Sequence, residues 1–380
     1  MTPFWRSVAA TLALLGGALA LERAHPSHGW TAVPGWLGSF ARDLTHHGLN
    51  AEDDLDLLAG YYEDLLNASN DATAKRDPEE GWRGSIRLDE THERVAGFLW
   101  YRPRAGLDLV TAAGTRVVTS AHGLADREYE LAKPAGTRRI AFVGDSLVRG
   151  LGAPFGRALE PRFEEWLNAT QTDPAIARFE VLNFGVEGYR LTQLLDVALG
   201  RAPAFQPDVL LLGLSELGVW RNFGNHLARL VHEGIDLEYP FLRDLVRRAG
   251  VAPDDEIGEA ESKLTRVRAE IVRGCLQAIV AGMRERSIAL VAVLLPTVND
   301  AATQQERFVE TRAILSELEI PALDLLDTFA GVQDLAALRV SRVDHHPNEA
   351  GCGRLLERLQ ARLAEAPAAA ELLLGRPLRR

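Results

Sequence analysis

The chain reads as an α/β protein of three layers, α/β/α, built on a mainly parallel five-stranded sheet, with a smaller N-terminal α+β extension. Three observations predict this. Five short apolar segments, Ile140 to Val143, Phe179 to Phe184, Val209 to Leu212, Ile288 to Leu295 and Ala322 to Leu326, have strand length and strand composition. Stretches of helical periodicity separate them, and strands alternating with helices at this spacing make a parallel sheet covered on both faces. Right-handed crossovers then bring every strand's carboxyl end to one edge.

The elements follow in order. Met1 to Leu21 opens with Arg6, runs apolar from Val8 to Leu21 and contains Ala18-Leu19-Ala20, a small-residue cleavage pattern. This predicts an export signal and a periplasmic or extracellular location. An apolar run of about 14 residues is shorter than the roughly 20 that span a bilayer, so cleavage is favoured over membrane anchoring. Residues 31–133 read as the separate extension. Asp53 to Leu66 has Leu55, Leu58, Tyr61, Tyr62, Leu65 and Leu66 at helical spacing, and Val95 to Trp100, Leu107 to Thr111 and Arg116 to Thr119 suggest strands. His46 and His47 have no Cys, Asp or Glu at ligand spacing, so a solvated or capping role is expected and no metal. Lys133-Pro134-Ala135-Gly136 is a turn-rich linker into the main domain, 138–366. Within it 219–256 reads as a largely helical insertion, Glu259 to Arg286 and Ala301 to Glu319 as helices, and Asn348 to Ala364 as the last helix; 367–380 reads as a tail.

Composition excludes several classes. A formal net charge of −11 with scattered Lys and Arg argues against nucleic acid. Two cysteines, Cys275 and Cys352, are too few for a disulfide framework, and neither is given a function.

The chemistry concentrates at strand ends. The first strand runs into Gly144-Asp145-Ser146, where glycine permits a tight turn that exposes the serine hydroxyl. The second leads to Asn183-Phe184-Gly185-Val186-Glu187-Gly188-Tyr189, the third to Gly213-Leu214-Ser215-Glu216, and the chain closes on Asp344-His345-His346-Pro347-Asn348. Together, from about Arg139 to Ala364, these motifs resemble the SGNH (GDSL) hydrolases, whose sheet is flavodoxin-like. Val117 to Tyr129 is also similar to a segment of exported bacterial members with an N-terminal extension, some of them related to polysaccharide O-acetylation and deacetylation proteins.

The resemblance implies a serine esterase without metal or organic cofactor, acting on a small-molecule or glycan ester. Ser146 matches the nucleophile, His346 the base and Asp344 the acid that orients it. The family places that acid three residues before the histidine; here it is two, which leaves His345 as an alternative base. The oxyanion hole would comprise the backbone N–H groups of Ser146 and Gly188 and a third donor. The family's asparagine is replaced by Ser215, so the hydroxyl, or the amide of Asn222 or Asn225, would have to serve. Glu216 is unsuited, because a carboxylate repels a developing oxyanion. Asp145 and Asn183 read as turn-holding residues and Asn348 as a helix N-cap. Two other readings stand beside the hydrolase: an O-acyltransferase of envelope polysaccharide, and a binding or assembly module that kept the fold and lost catalysis. In any of them the insertion 219–256 would sit near the crevice mouth.

Overall fold

Strands with no polar side belong inside a sheet covered on both faces, and five such strands assemble here. The computed structural model describes residues 91–110, 116–221, 223–341 and 344–375, all of them in the unit Leu57–Arg380. In chain order the strands of the sheet are β1 (Thr137–Gly144), β2 (Arg178–Gly185), β3 (Val209–Ser215), β4 (Ala289–Leu295) and β5 (Ala322–Asp324). They pair in the order β2-β1-β3-β4-β5, every pair parallel. The chain first winds outward to β2 and then returns past β1 to β3. Winding therefore reverses between β1 and β3, the position at which open α/β sheets form their ligand crevice.

Side chains alternate between two cores. Ile140, Phe142, Val209, Leu211, Val291 and Val293 pack beneath the helices Leu159–Thr170, Glu349–Glu365 and Pro367–Leu374. Ala141, Val143, Leu210, Leu212, Ala292 and Leu294 face the opposite way, under Leu191–Asp196, Asn225–His232, Pro240–Ala249 and Arg268–Glu285. Each large apolar side chain buried this way contributes about 1.5–3 kcal/mol, so continuous apolar strands are what the three layers require.

Several boundaries differ from the sequence reading. Glu259 to Arg286 is two helices, Ile257–Thr265 and Arg268–Glu285, because the first packs on Asn225–His232 and the second on Leu191–Asp196 and the sheet. Ala301 to Glu319 likewise breaks at the fully buried Phe308. Val95 to Trp100 is the turn of an antiparallel hairpin, His92–Arg94 with Tyr101–Pro103, and Gly97 at φ +96° makes the reversal. The stretch read as a tail carries the helix Pro367–Leu374, with Ala369, Ala370, Leu373 and Leu374 buried.

The described part of the extension, 91–110 and 116–133, has no core of its own. Phe98, Trp100, Tyr101, Leu124 and Tyr129 join the core that also holds Val143, Leu182 and Leu212. The separate-module reading is corrected for these residues: too short to bury their own apolar side chains, they bury them on the sheet domain. Residues 31–90, including His46, His47 and Asp53 to Leu66, and the predicted signal Met1 to Leu21 lie outside the described residues. Among the described residues no helix is long and apolar enough to cross a membrane.

Candidate active site

At the carboxyl end of β1 the chain turns directly into a one-turn helix, Ser146–Arg149. Asp145 caps it, Oδ1 accepting the Leu147 N–H at 3.0 Å. Close approach of this helix to β2 depends on Gly185, where a Cβ would stand 2.2 Å from the Arg149 backbone nitrogen. Asn183 holds the same junction. Its Oδ1 accepts the Gly185 N–H at 2.9 Å and its Nδ2 donates to the Val148 carbonyl at 3.1 Å.

Across the winding reversal, β3 ends at Ser215. Its hydroxyl donates to the Asp145 carboxylate and accepts the Gly218 N–H at 3.4 Å. A serine hydroxyl carries one proton, and here that proton is committed to Asp145. The expectation that Ser215 donates to an oxyanion is thereby corrected: a neighbouring buried carboxylate is the stronger acceptor, and Ser215 serves to tie the end of β3 to the end of β1. Glu216 is ion-paired with Arg307. Asn222 lies outside the described residues. Asn225 is buried at the start of its helix, with Oδ1 accepting from Arg229 Nε at 2.9 Å and Nδ2 without a hydrogen-bond partner among the described residues.

The loop before the last long helix brings Asp344 and His346 to Ser146. His346 Nε2 is 2.7 Å from Ser146 Oγ, and its Nδ1 is 2.5 Å from Asp344 Oδ1, which also accepts the His346 backbone N–H at 3.0 Å. The carboxylate beside Nδ1 keeps the proton on that nitrogen, so Nε2 presents a lone pair to the serine hydroxyl. An acid two residues before the histidine thus reaches the ring. The neighbouring His345 is buried, and its carbonyl accepts the Val298 N–H at 2.9 Å; the ring that meets Ser146 belongs to His346. Asn348 caps the following helix, its Oδ1 accepting from Ala350 at 3.0 Å and Gly351 at 3.1 Å.

Burial of His346 would push its pKa down. Its contact with Asp344, with smaller contributions from the Asp145 and Glu187 carboxylates, outweighs burial and holds it above 6.5. Burial likewise favours a neutral Asp344, but the His346 charge and hydrogen bonds overcome it and lower that carboxyl. Asp145 is raised, burial outweighing its bonds from Ser215 and Leu147.

Beyond β2 the chain makes the turn Val186 to Tyr189, closed by the Tyr189 N–H to the Val186 carbonyl at 3.3 Å, with Gly188 at φ +75°. The Gly188 N–H makes no hydrogen bond among the described residues. Glu187, buried, lies 3.2 Å from Arg149 Nε and 3.0 Å from His92 Nε2. Burial would raise its carboxyl, yet Arg149 and His92 bring it down to about 2. Arg149, His92 and Tyr101, whose hydroxyl donates to the Glu187 carbonyl at 2.5 Å, were not singled out by sequence reasoning. Only Glu187 carried a signal, an ionisable residue between two turn glycines.

No protein-family model matches the chain, and no curated protein matches it. Among solved structures the chain is similar to CEX, a two-domain esterase active on acetylated mannans (16% identity, TM-score 0.40), over 60% of this chain and half of that one. It is similar to Axe2, an acetylxylan esterase from Geobacillus stearothermophilus (15% identity, TM-score 0.40), over 59% of this chain and 93% of that one. A third is a protein assigned to the lipolytic G-D-S-L family, from Desulfitobacterium hafniense DCB-2 (13% identity, TM-score 0.37; 59% and 98% covered). Likenesses at this level leave the activity of this chain to the geometry of its own site.

Proposed function

We propose that the chain is an exported serine esterase of the SGNH type, and the observation that carries the reading is the relay from Asp344 through His346 to the Ser146 hydroxyl, 2.5 Å and then 2.7 Å. As Ser146 Oγ attacks the ester carbonyl, His346 Nε2 takes its proton and Asp344 stabilises the imidazolium. The oxyanion accepts hydrogen bonds from the backbone N–H groups of Ser146 and Gly188. Collapse expels the alcohol, which leaves with the proton from His346, and an acyl-enzyme remains. Water then gives its proton to His346, attacks the acyl carbon and releases the acid as the proton returns to Ser146. No step uses a cofactor. The substrate class is a carboxylic ester, O-acetyl groups on an envelope glycan among the candidates, with Met1 to Leu21 directing export. The contact of Asp344 with His346 favours this reading over a binding module that has lost catalysis.

The test is covalent labelling with a fluorophosphonate probe. The wild type should label on Ser146, and both Ser146→Ala and His346→Ala should lose labelling. A folded wild type that does not label overturns the proposal.

A further inference from the structure

The turn that carries the second oxyanion donor has two possible states, and something must choose between them. With residue 188 at φ +75° and residue 187 in the ordinary negative-φ region, Val186 to Tyr189 is a type II turn. Types I and II share their end points and differ mainly by a flip of the central peptide, here the unit joining Glu187 to Gly188. Glycine tolerates both. A peptide unit is planar and trans, so the Glu187 carbonyl and the Gly188 N–H point in opposite directions as one rigid body. Turning the carbonyl over turns the oxyanion donor away.

That carbonyl is held. The Tyr101 hydroxyl donates to it at 2.5 Å from a buried position. The same oxygen lies 2.9 Å from where a Gly188 Cβ would be, so the ring fills the space under the turn. Tyr101 is itself fixed: its backbone carbonyl accepts the Tyr189 hydroxyl at 2.7 Å, and its ring stands edge to face with His92, Trp100 and Tyr189 at 5.7, 5.7 and 5.1 Å. Burial first, then Tyr189 and Glu187, outweigh the opposing Arg190 and Arg229 and keep the phenol well above its ordinary pKa of 10.0, so it remains a donor. The Glu187 side chain anchors the same residue from the other side, between Arg149 of the Ser146 helix and His92 of the segment that carries Tyr101. The Gly188 carbonyl accepts Arg190 Nη1 at 2.6 Å, which fixes the next peptide.

We propose that Tyr101 is a positioning residue of the active centre: its hydroxyl latches the Glu187–Gly188 peptide in the orientation that presents the Gly188 N–H to the oxyanion. The segment 91–103, which precedes the sheet domain in the chain, is on this view part of the catalytic apparatus. The proposal rests on the esterase reading and deepens it.

The test is Tyr101→Phe, which keeps the ring and removes one hydroxyl. Labelling of wild-type Ser146 comes first, and its absence overturns both this proposal and the esterase reading. In a wild type that labels, Tyr101→Phe should lower kcat for an activated acetyl ester by about 10-fold to 100-fold with KM changed by less than about threefold, since the donor acts on the transition state. Affinity for a boronic acid, which forms a tetrahedral anion on the serine, should fall by a similar factor. A folded variant with kcat and boronate affinity within about twofold of wild type overturns the latch and leaves the esterase intact. Should Tyr101→Phe fail to fold, His92→Gln loosens the Glu187 anchor from the same segment. A fall in kcat of about fivefold or more at constant KM then supports the proposal, and an unchanged kcat overturns it.

Discussion

The two ends of strand β1 handle buried charge in opposite ways. At the amino end Arg139 is wholly buried, with Nε and Nη2 on Glu180 Oε2 at 2.9 and 2.7 Å and Nη1 on the carbonyls of Glu130, Leu131 and Phe205. Its backbone N–H goes to Asp208 Oδ2 at 2.8 Å. Every charge there has its partner, and the cluster is closed. At the carboxyl end Asp344 and His346 are also buried, but their relay ends on the Ser146 hydroxyl, and the Gly188 N–H nearby has no acceptor among the described residues. Closed charge networks hold a fold together, whereas an ordered network that stops at a nucleophile and an unengaged donor is built for a group yet to arrive.

The contrast can be broken at each end. Asp344→Asn should leave the fold and cut kcat by about 10⁴-fold, because the amide no longer holds His346 in the right tautomer or stabilises its cation. The pH profile sharpens this. His346 must be neutral to accept the serine proton, and its pKa is held above 6.5, so wild-type kcat/KM should rise with pH through an apparent pKa above 6.5. Without the Asp344 charge, burial dominates, and the residual activity should titrate at lower pH.

Arg139→Met addresses the other end. It leaves the Glu180 carboxylate buried without its main partner and should cost about 3–5 kcal/mol in denaturant unfolding, while kcat per folded molecule stays at the wild-type value. A fall in kcat of tenfold or more would mean that the two ends are coupled. Ser215→Ala should have only a small effect on rate, less than about tenfold in kcat, against the roughly 10² to 10³ expected when a true oxyanion donor is lost. Its main cost should appear as about 1–3 kcal/mol of stability, from the buried Asp145 oxygen left without its hydroxyl.

Much of this was legible in local pattern. Ile140 to Val143 running into Asp145 and Ser146 predicts a buried strand and a turn held by Asp145, and Asn348 predicts a helix start; both concern neighbours within three residues. The long helical periods were legible too, but their breaks were not. Phe308 and Val267 interrupt them for the sake of packing against elements remote in sequence. The hydroxyl of Ser215 shows the limit within the site. From its place in the motif it reads as a donor to substrate, and only the position of Asp145, 70 residues earlier, redirects its proton.

By itself the sequence determined which five segments become the strands of the sheet and that a serine stands at the end of the first one. Those outcomes follow from apolar burial and from hydrogen bonds between near neighbours, and each is written in a few consecutive residues. The tertiary structure decided the rest: that an acid two places before a histidine reaches its ring, that 91–103 joins the sheet domain, and that Tyr101 aims a peptide 86 residues away. Such contacts depend on where distant backbones come to rest, to within a few tenths of an ångström, and hydrogen bonds are directional over that distance.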